Sequence, residues 1–232
     1  MHVLVVFCHP VRTSYCGTIL DRFVDGLERA GHTHEIADLH AERFDPVFAA
    51  ADFGQFDGHQ LGPELLAEQA RVDRADGVAF ISPIWWLSLP AMLKGWFDRV
   101  WSNGWAYEWS HDPEGSLLPE RPFVFLLTAA GSLGTWRRYG YGAALDASLR
   151  VGLLDWCGAG PSTVAVLHDT SFDEEAMRRH TVCAADAGER IFDEPGALTW
   201  PATVTLLNGE PRAARPGPAA RRRRAARHGG AA

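Results

Sequence analysis

Gly77-Val78-Ala79-Phe80-Ile81-Ser82 runs directly into Pro83-Ile84-Trp85-Trp86-Leu87-Ser88-Leu89-Pro90, and the reading of this stretch decides the fold. Its first part is continuously apolar, as a strand buried on both faces requires; a strand with one solvated face would alternate. The second part carries the proline and serine punctuation of a loop. Pro90 suits the first position of a helix, which is predicted to run to about Ser102. A buried strand, a loop at its carboxyl end and a helix make the repeating unit of a parallel sheet with helices on both faces.

The unit recurs along the chain. His2–Cys8 reads as the first strand, and Tyr15–Ala30 as a helix with Ile19, Leu20, Phe23, Leu27 and Ala30 on one face. His34–Asp38 is a weak second strand, followed by a long loop through Leu61. Pro63 opens a helix to Ala75. Phe123–Thr128, a helix over Gly142–Cys157, Thr163–Leu167 and a last helix over Asp173–Phe192 complete the pattern. Five strands predict an α/β, doubly wound, five-stranded parallel sheet of flavodoxin-like order 2-1-3-4-5. In that order ligands bind at the carboxyl ends of strands one and three. The expected organisation is one domain over 1–194, an extension over 195–208 and a disordered tail over 209–232.

The unusual residues collect at that edge. Six of the nine tryptophans lie between Ser82 and Trp109: Trp85, Trp86, Trp96, Trp101, Trp105 and Trp109. Each indole N–H wants a partner once buried, so rings on loops suggest a pocket for something flat and conjugated. Trp96 and Trp101, by contrast, sit in a helix and read as packing or a subunit interface. After strand one, His9-Pro10-Val11-Arg12-Thr13-Ser14-Tyr15-Cys16 leads into a helix whose amides and dipole favour an anion. Ser14 is either a phosphate neighbour or simply the helix cap. After strand four, Thr128-Ala129-Ala130-Gly131 is small enough for backbone to approach a ring system. Trp136, Tyr139 and Tyr141 follow, and either tyrosine can supply a proton.

Composition excludes several classes. The chain of 232 residues is 47% apolar and 22% charged, as in ordinary globular proteins. Its apolar runs are strand-length, so stable membrane insertion is not expected. Cys8, Cys16, Cys157 and Cys183 lack metal spacing, which points to a reduced, cytoplasmic protein without a metal. Residues 209–232 hold seven arginines against one glutamate, so residues 1–208 carry −13 of the net −7. That acidic body argues against nucleic-acid binding. There is no GxGxxG, GxSxG, GxxxxGK[ST] or HExxH motif.

The residues resemble the NAD(P)H:quinone oxidoreductases of the DT-diaphorase type. The likeness is carried by Ala67-Glu68-Gln69, Ala75-Asp76 and the run from Pro83 to Val100 (P-I-W-W-L-S-L-P-A-M-L-K-G-W-F-D-R-V). His9-Pro10 with Ser14, Gly104-Trp105-Ala106-Tyr107, Thr128 to Gly131 and Trp156-Cys157-Gly158 add to it. The resemblance implies a homodimer with a flavin, FMN rather than FAD because the loop after Asp45-Pro46 is shorter than in the FAD-binding vertebrate members and lacks their insertion. NAD(P)H would deliver a hydride and leave, and a quinone-like, azo or nitro acceptor would then take two electrons in a ping-pong cycle. It places His9, Ser14, Tyr15 and Cys16 at the phosphate, and Pro83, Ile84, Trp85, Trp86 and Leu87 at the ring edge. Thr128, Ala129, Ala130, Gly131 and Trp136 approach from the other side, and Tyr107 and Trp109 close the substrate pocket. The family's histidine relay has no counterpart, which leaves Tyr139 or Tyr141. The alternatives are a flavodoxin-type electron carrier and a flavin-binding regulatory subunit of a transporter.

Overall fold

The computed structural model describes residues 1–108, 117–171, 173–194 and 198–207. The arginine-rich tail and Trp109 lie outside the described residues. The sheet has six strands in the order β2-β1-β3-β4-β5-β6: β1 His2–Phe7, β2 Thr33–Asp38, β3 Gly77–Pro83, β4 Phe123–Thr128, β5 Ser162–Leu167 and β6 Val204–Leu206. The first five are parallel in the expected order. The sixth corrects the five-stranded expectation and runs antiparallel to β5, pairing Val204 with Leu167 and Leu206 with Ala165. Three residues are too few to show a period, and an edge pairing made by backbone leaves little trace in side-chain pattern.

The period of two divides the strands between two cores. Val3, Val5, Phe7, Ala79, Ile81, Val124, Leu126, Ala165 and Leu167 face one side. There they meet Ile19, Leu20, Phe23 and Leu27 of α1 (Tyr15–Arg29) and Ala184 and Ala187 of α6 (Glu174–Glu189). Leu4, Val6, Val78, Phe80, Phe125 and Val166 face the other. That side is covered by α2 (Pro63–Asp73), α3 (Ala91–Val100) and the helix from α5 (Tyr141–Leu145) into a π-helical stretch, Asp146–Asp155. A separate α4, Leu133–Tyr139, precedes them, where the sequence suggested only a loop. Helices α1 and α6 touch through backbone. A Cβ on Gly26 would stand 2.0 Å from the Ala185 carbonyl oxygen, and one on Gly188 2.0 Å from that of Phe23.

The motif residues of α2 and α3 turn out to hold the fold together. Trp96 is fully buried, and its indole donates to Glu68 Oε2 at 2.8 Å. Glu68 in turn accepts from Arg71 at 2.8 Å. Gln69 Nε2 donates to the Val100 carbonyl at 2.8 Å and to Ser102 Oγ at 2.9 Å, closing the end of α3. Arg99 reaches the segment Asp45–Phe56, most of it a 3-10 helix over Ala50–Phe56 that the sequence left as loop. Gly95 lets that segment press on α3, since a Cβ there would lie 2.2 Å from the Pro46 carbonyl oxygen.

Two buried histidines tie down the C-terminal strand. His168 Nε2 lies 2.8 Å from Thr205 Oγ1, and His180 Nε2 2.9 Å from Thr203 Oγ1. Burial lowers both rings below the ordinary histidine value, His180 to about 4, with the neighbouring His168 and Arg179 adding to the effect on His180. A base with a depressed folded-state pKa binds fewer protons folded than unfolded. Its contribution is therefore present above the ordinary value and lost as pH falls toward 4. Urea titrations at pH 7 and pH 4 should show a loss of about 3 kcal/mol attributable to His180. The loss should be largely absent in His180→Gln; equal pH dependence in the two proteins would refute the assignment.

Candidate functional site

Parallel register brings the loops after β1, β3 and β4 to one edge of the sheet, with Phe7 opposite Ile81 and Pro83 opposite Thr128. The loops are also close to one another. The Ile84 amide donates to the Thr128 carbonyl at 2.8 Å, and the Thr128 side chain lies close enough to the Cys16 thiol to favour its ionised form. The His9 and Trp85 rings lie 6.3 Å apart.

At the first loop Ser14 is the cap of α1: its Oγ accepts from the Gly17 amide at 3.3 Å, and its own amide donates to the Val11 carbonyl at 3.1 Å. No helix carbonyl can reach the amides of Tyr15 and Cys16, so these two remain for an anion. His9 Nδ1 lies 3.0 Å from the Val11 amide and 2.9 Å from the Val11 carbonyl, so the ring is held by the backbone of its own loop. One side chain plays a different part from the one the resemblance implies, and another is already paired. The Tyr15 hydroxyl donates to the Met177 carbonyl at 2.9 Å, so only its backbone serves the loop. The Arg12 guanidinium is paired with Asp21. Burial pushes the Cys16 thiol up to about 12, with the Thr128 side chain opposing, so it is a thiol at neutral pH and no nucleophile.

At the second loop a tight turn joins Trp85 and Ser88 by reciprocal backbone bonds of 3.0 and 3.1 Å. Its central residues, Trp86 at φ 50° and Leu87 at φ 61°, both occupy the left-handed region that side chains avoid. Such a turn normally takes Asn-Gly. Trp86 is 99% exposed, so no burial offsets its strain. Backbone strain of this kind persists only where the surrounding structure holds it, and it clusters at ligand clamps and switch regions.

At the third loop Ala130 and Gly131 are exposed while Thr128 and Ala129 are buried. Trp136 is only 4% exposed and stands beneath Gly131: a Cβ on Gly131 would lie 3.3 Å from its indole nitrogen. It therefore supports the loop rather than edging a ligand. Tyr141 packs edge-on against Trp136 at 6.0 Å, and Tyr139, exposed, stacks on Tyr141 at 5.5 Å.

Tyr107 is brought to a second feature, a groove of about 340 Å³ between α3 and the π-helical stretch. Ser88 and Leu89 form its near end, so it starts at the foot of the strained turn. Burial, with Cys157 adding to it, raises the Tyr107 phenol, which stays a proton donor at neutral pH. Trp105, one of the loop tryptophans read as walls of a pocket, instead donates its indole N–H to Asp73 at 3.1 Å. The groove also holds Trp156, which the sequence reading quoted only as part of a motif. The spacing Leu145, Leu149, Gly152, Leu153, Trp156 is a helical stripe and was the signal that could have found it.

A family model described as flavodoxin-like fold matches residues 1–191. The chain belongs to the flavodoxin-like family. Within it, a solved NAD(P)H:quinone oxidoreductase from Methanothermobacter marburgensis is 32% identical, with a TM-score of 0.74, covering 82% of this chain and 96% of that one. The guinea-pig (Cavia porcellus) NAD(P)H dehydrogenase [quinone] 1 is 27% identical over 175 residues, 67% of this chain and 64% of that protein's length. The human ribosyldihydronicotinamide dehydrogenase [quinone] is 29% identical over 155 residues, 60% of this chain and 67% of the relative. Among the described residues no helix is long and apolar enough to cross a membrane, and no group of metal-ligating side chains is assembled.

Proposed function

We propose that this chain is a flavin-dependent NAD(P)H oxidoreductase that passes two electrons to quinone-like acceptors, with azo and nitro compounds as chemical variants. One observation carries the reading: three neighbouring loops converge at the switch point of the sheet, and each suits a different part of a flavin. The amides of Tyr15 and Cys16, with the helix dipole and His9, suit the phosphate. The strained turn at Trp86 and Leu87 offers an aromatic edge and backbone donors. The small loop Thr128 to Gly131 permits close approach of a ring. A bound flavin would supply hydride acceptance from NAD(P)H and delivery to the acceptor.

The chain's own residues do the rest. Tyr107 and Trp156 line the groove where a flat acceptor can stack, and the phenol of Tyr107 holds a proton to donate to an oxygen of the reduced product. Tyr139 and Tyr141 stand near the third loop as a further proton source. FMN suits the chain better than FAD. The loop after Asp45-Pro46 lacks the insertion of the FAD-binding members, and Arg178 and Arg179, cations that could otherwise meet an adenosine, are paired with Glu175. The exposed Trp86 and the apolar groove fit a homodimer, and the acidic body fits a cytoplasmic protein that binds no nucleic acid.

The test is the spectrum and mass of the cofactor released from purified protein, followed by NAD(P)H oxidation with and without a benzoquinone. Yellow protein with quinone-dependent turnover is expected; colourless protein that takes up neither FMN nor FAD would sink the reading. Tyr107→Ala should lower kcat/KM for the quinone roughly 3- to 10-fold, the worth of one aromatic contact, while flavin stays bound. Loss of flavin instead would place Tyr107 in the cofactor site.

A further inference from the structure

We propose that the C-terminal strand β6 is a positioning element for the third loop, acting through Thr205, His168 and Trp136 on Gly131. The proposal rests on the reading of that loop as a flavin contact. Thr205 Oγ1 holds His168 Nε2 at 2.8 Å, and the His168 amide donates to the carbonyl of Thr203, just ahead of β6, at 3.1 Å, so β6 and the residue leading into it fix His168 by both side chain and backbone. The His168 ring is fully buried and meets Trp136 at 4.9 Å in a T-shaped contact. Trp136 in turn lies beneath Gly131, with its indole nitrogen 3.3 Å from where a Cβ would be.

The backbone beside His168 reinforces the same loop. The Asp169 amide donates to the Gly131 carbonyl at 3.4 Å and the Thr170 amide to the Ala129 carbonyl at 3.3 Å. Asp169 takes φ 60° within this contact, the left-handed conformation that a short polar side chain admits. The methyl of Thr205 packs against the opening of α5, 3.7 Å from where a Cβ on Gly142 would stand. Strand β6 has a second face with a different task. Val204 and Leu206 pack on the α1–α6 core, away from this chain of contacts. The strand also lies beyond residues 1–191, the part that the family model matches.

The two faces give a clean test. Apoprotein is titrated with FMN by fluorescence, alongside urea unfolding, for wild type, Thr205→Val, Thr205→Ser and Leu206→Ala. Valine keeps the shape and methyl contact of Thr205 but removes the hydroxyl, and should weaken FMN binding roughly fivefold or more, the worth of one buried hydrogen bond. Serine restores the hydroxyl and should bring the Kd back to within about twofold of wild type. Leu206→Ala should lower stability with little change in Kd. An unchanged Kd in Thr205→Val overturns the proposal and leaves the flavin reading standing. So does equal weakening by Leu206→Ala, which would mean general loosening. Wild type that binds no FMN would overturn the flavin reading as well.

Discussion

Replacing Arg99 with leucine should lower the unfolding free energy by about 3–5 kcal/mol at neutral pH. Arg99 and Asp52 are both nearly buried, at 6% and 5% exposure, so this is an ion pair shielded from water. Arg99 Nε donates to Asp52 Oδ2 at 2.9 Å, its Nη2 to Oδ1 at 3.3 Å, and its Nη1 to the Asp45 carbonyl at 2.7 Å. Leucine fills part of the space but leaves Asp52 a buried carboxylate whose only remaining partner of this set is the Ala49 amide, at 2.8 Å. The cost therefore comes from the abandoned charge, not from the worth of the pair. Burial pushes the Asp52 carboxyl up, but the Arg99 hydrogen bonds, the Ala49 amide and the Arg99 charge outweigh it and hold it below its ordinary value.

The sign of the pH dependence follows. In wild type, Asp52 adds stability above its unfolded value and loses it as pH falls through the folded one. Without Arg99 the carboxyl rises, so the deficit of Arg99→Leu should shrink as acid neutralises Asp52. Adding Asp52→Asn to Arg99→Leu should recover most of the loss at pH 7. Urea unfolding of the two variants checks this. A deficit below about 1 kcal/mol would mean that water reaches the pair and that it behaves as a surface contact.

Arg99 also shows where sequence reading stops. The strand Val78–Ile81 announced itself by unbroken apolarity, the face of α1 by its spacing, and the cap Ser14 by type and place. All are local signals, and the strand order followed from parallel topology. Glu68, Gln69 and Arg99 are different. They were legible as a motif but not as a mechanism, because their partners Trp96, Ser102 and Asp52 lie 28, 33 and 47 residues away. Polar residues in helices read as solvated until the fold brings those partners in. The candidate site divides the same way. The loops could be placed at one sheet edge from connectivity alone, whereas the direction of each side chain could not. The Tyr15 hydroxyl turned to α6, the Trp105 indole to Asp73, and the Trp136 ring inward, although all three read from the sequence as neighbours of a ligand. Trp156 entered the groove from a helix whose winding, not its composition, brings it beside Tyr107.

Gly17→Ala should weaken FMN binding by roughly 100-fold or more, the largest effect expected of any single methyl group in this chain. A Cβ at this position would stand 1.9 Å from the Arg12 carbonyl oxygen, closer than atoms can approach, so loop or helix must move. The helix is the stiffer party. Gly26 on α1 and Gly188 on α6 press the two backbones together, and Ile19, Leu20, Phe23 and Leu27 anchor α1 in the core. The loop therefore yields, and with it the turn that sets Ser14 over the first helical amides. Those amides, on Tyr15 and Cys16, are the proposed phosphate donors, so a shift of the turn acts on them directly. General destabilisation is the rival explanation, and Gly31→Ala separates the two. Gly31 has φ 74°, so alanine there should cost about 1 kcal/mol in backbone strain, yet no neighbouring atom lies within 4 Å of its Cβ. The Gly31 variant should lose some stability and keep its FMN affinity, while the Gly17 variant should lose affinity far beyond its loss of stability. If Gly17→Ala binds FMN as wild type does, the phosphate does not sit at the start of α1, and the flavin must be placed elsewhere on the sheet edge.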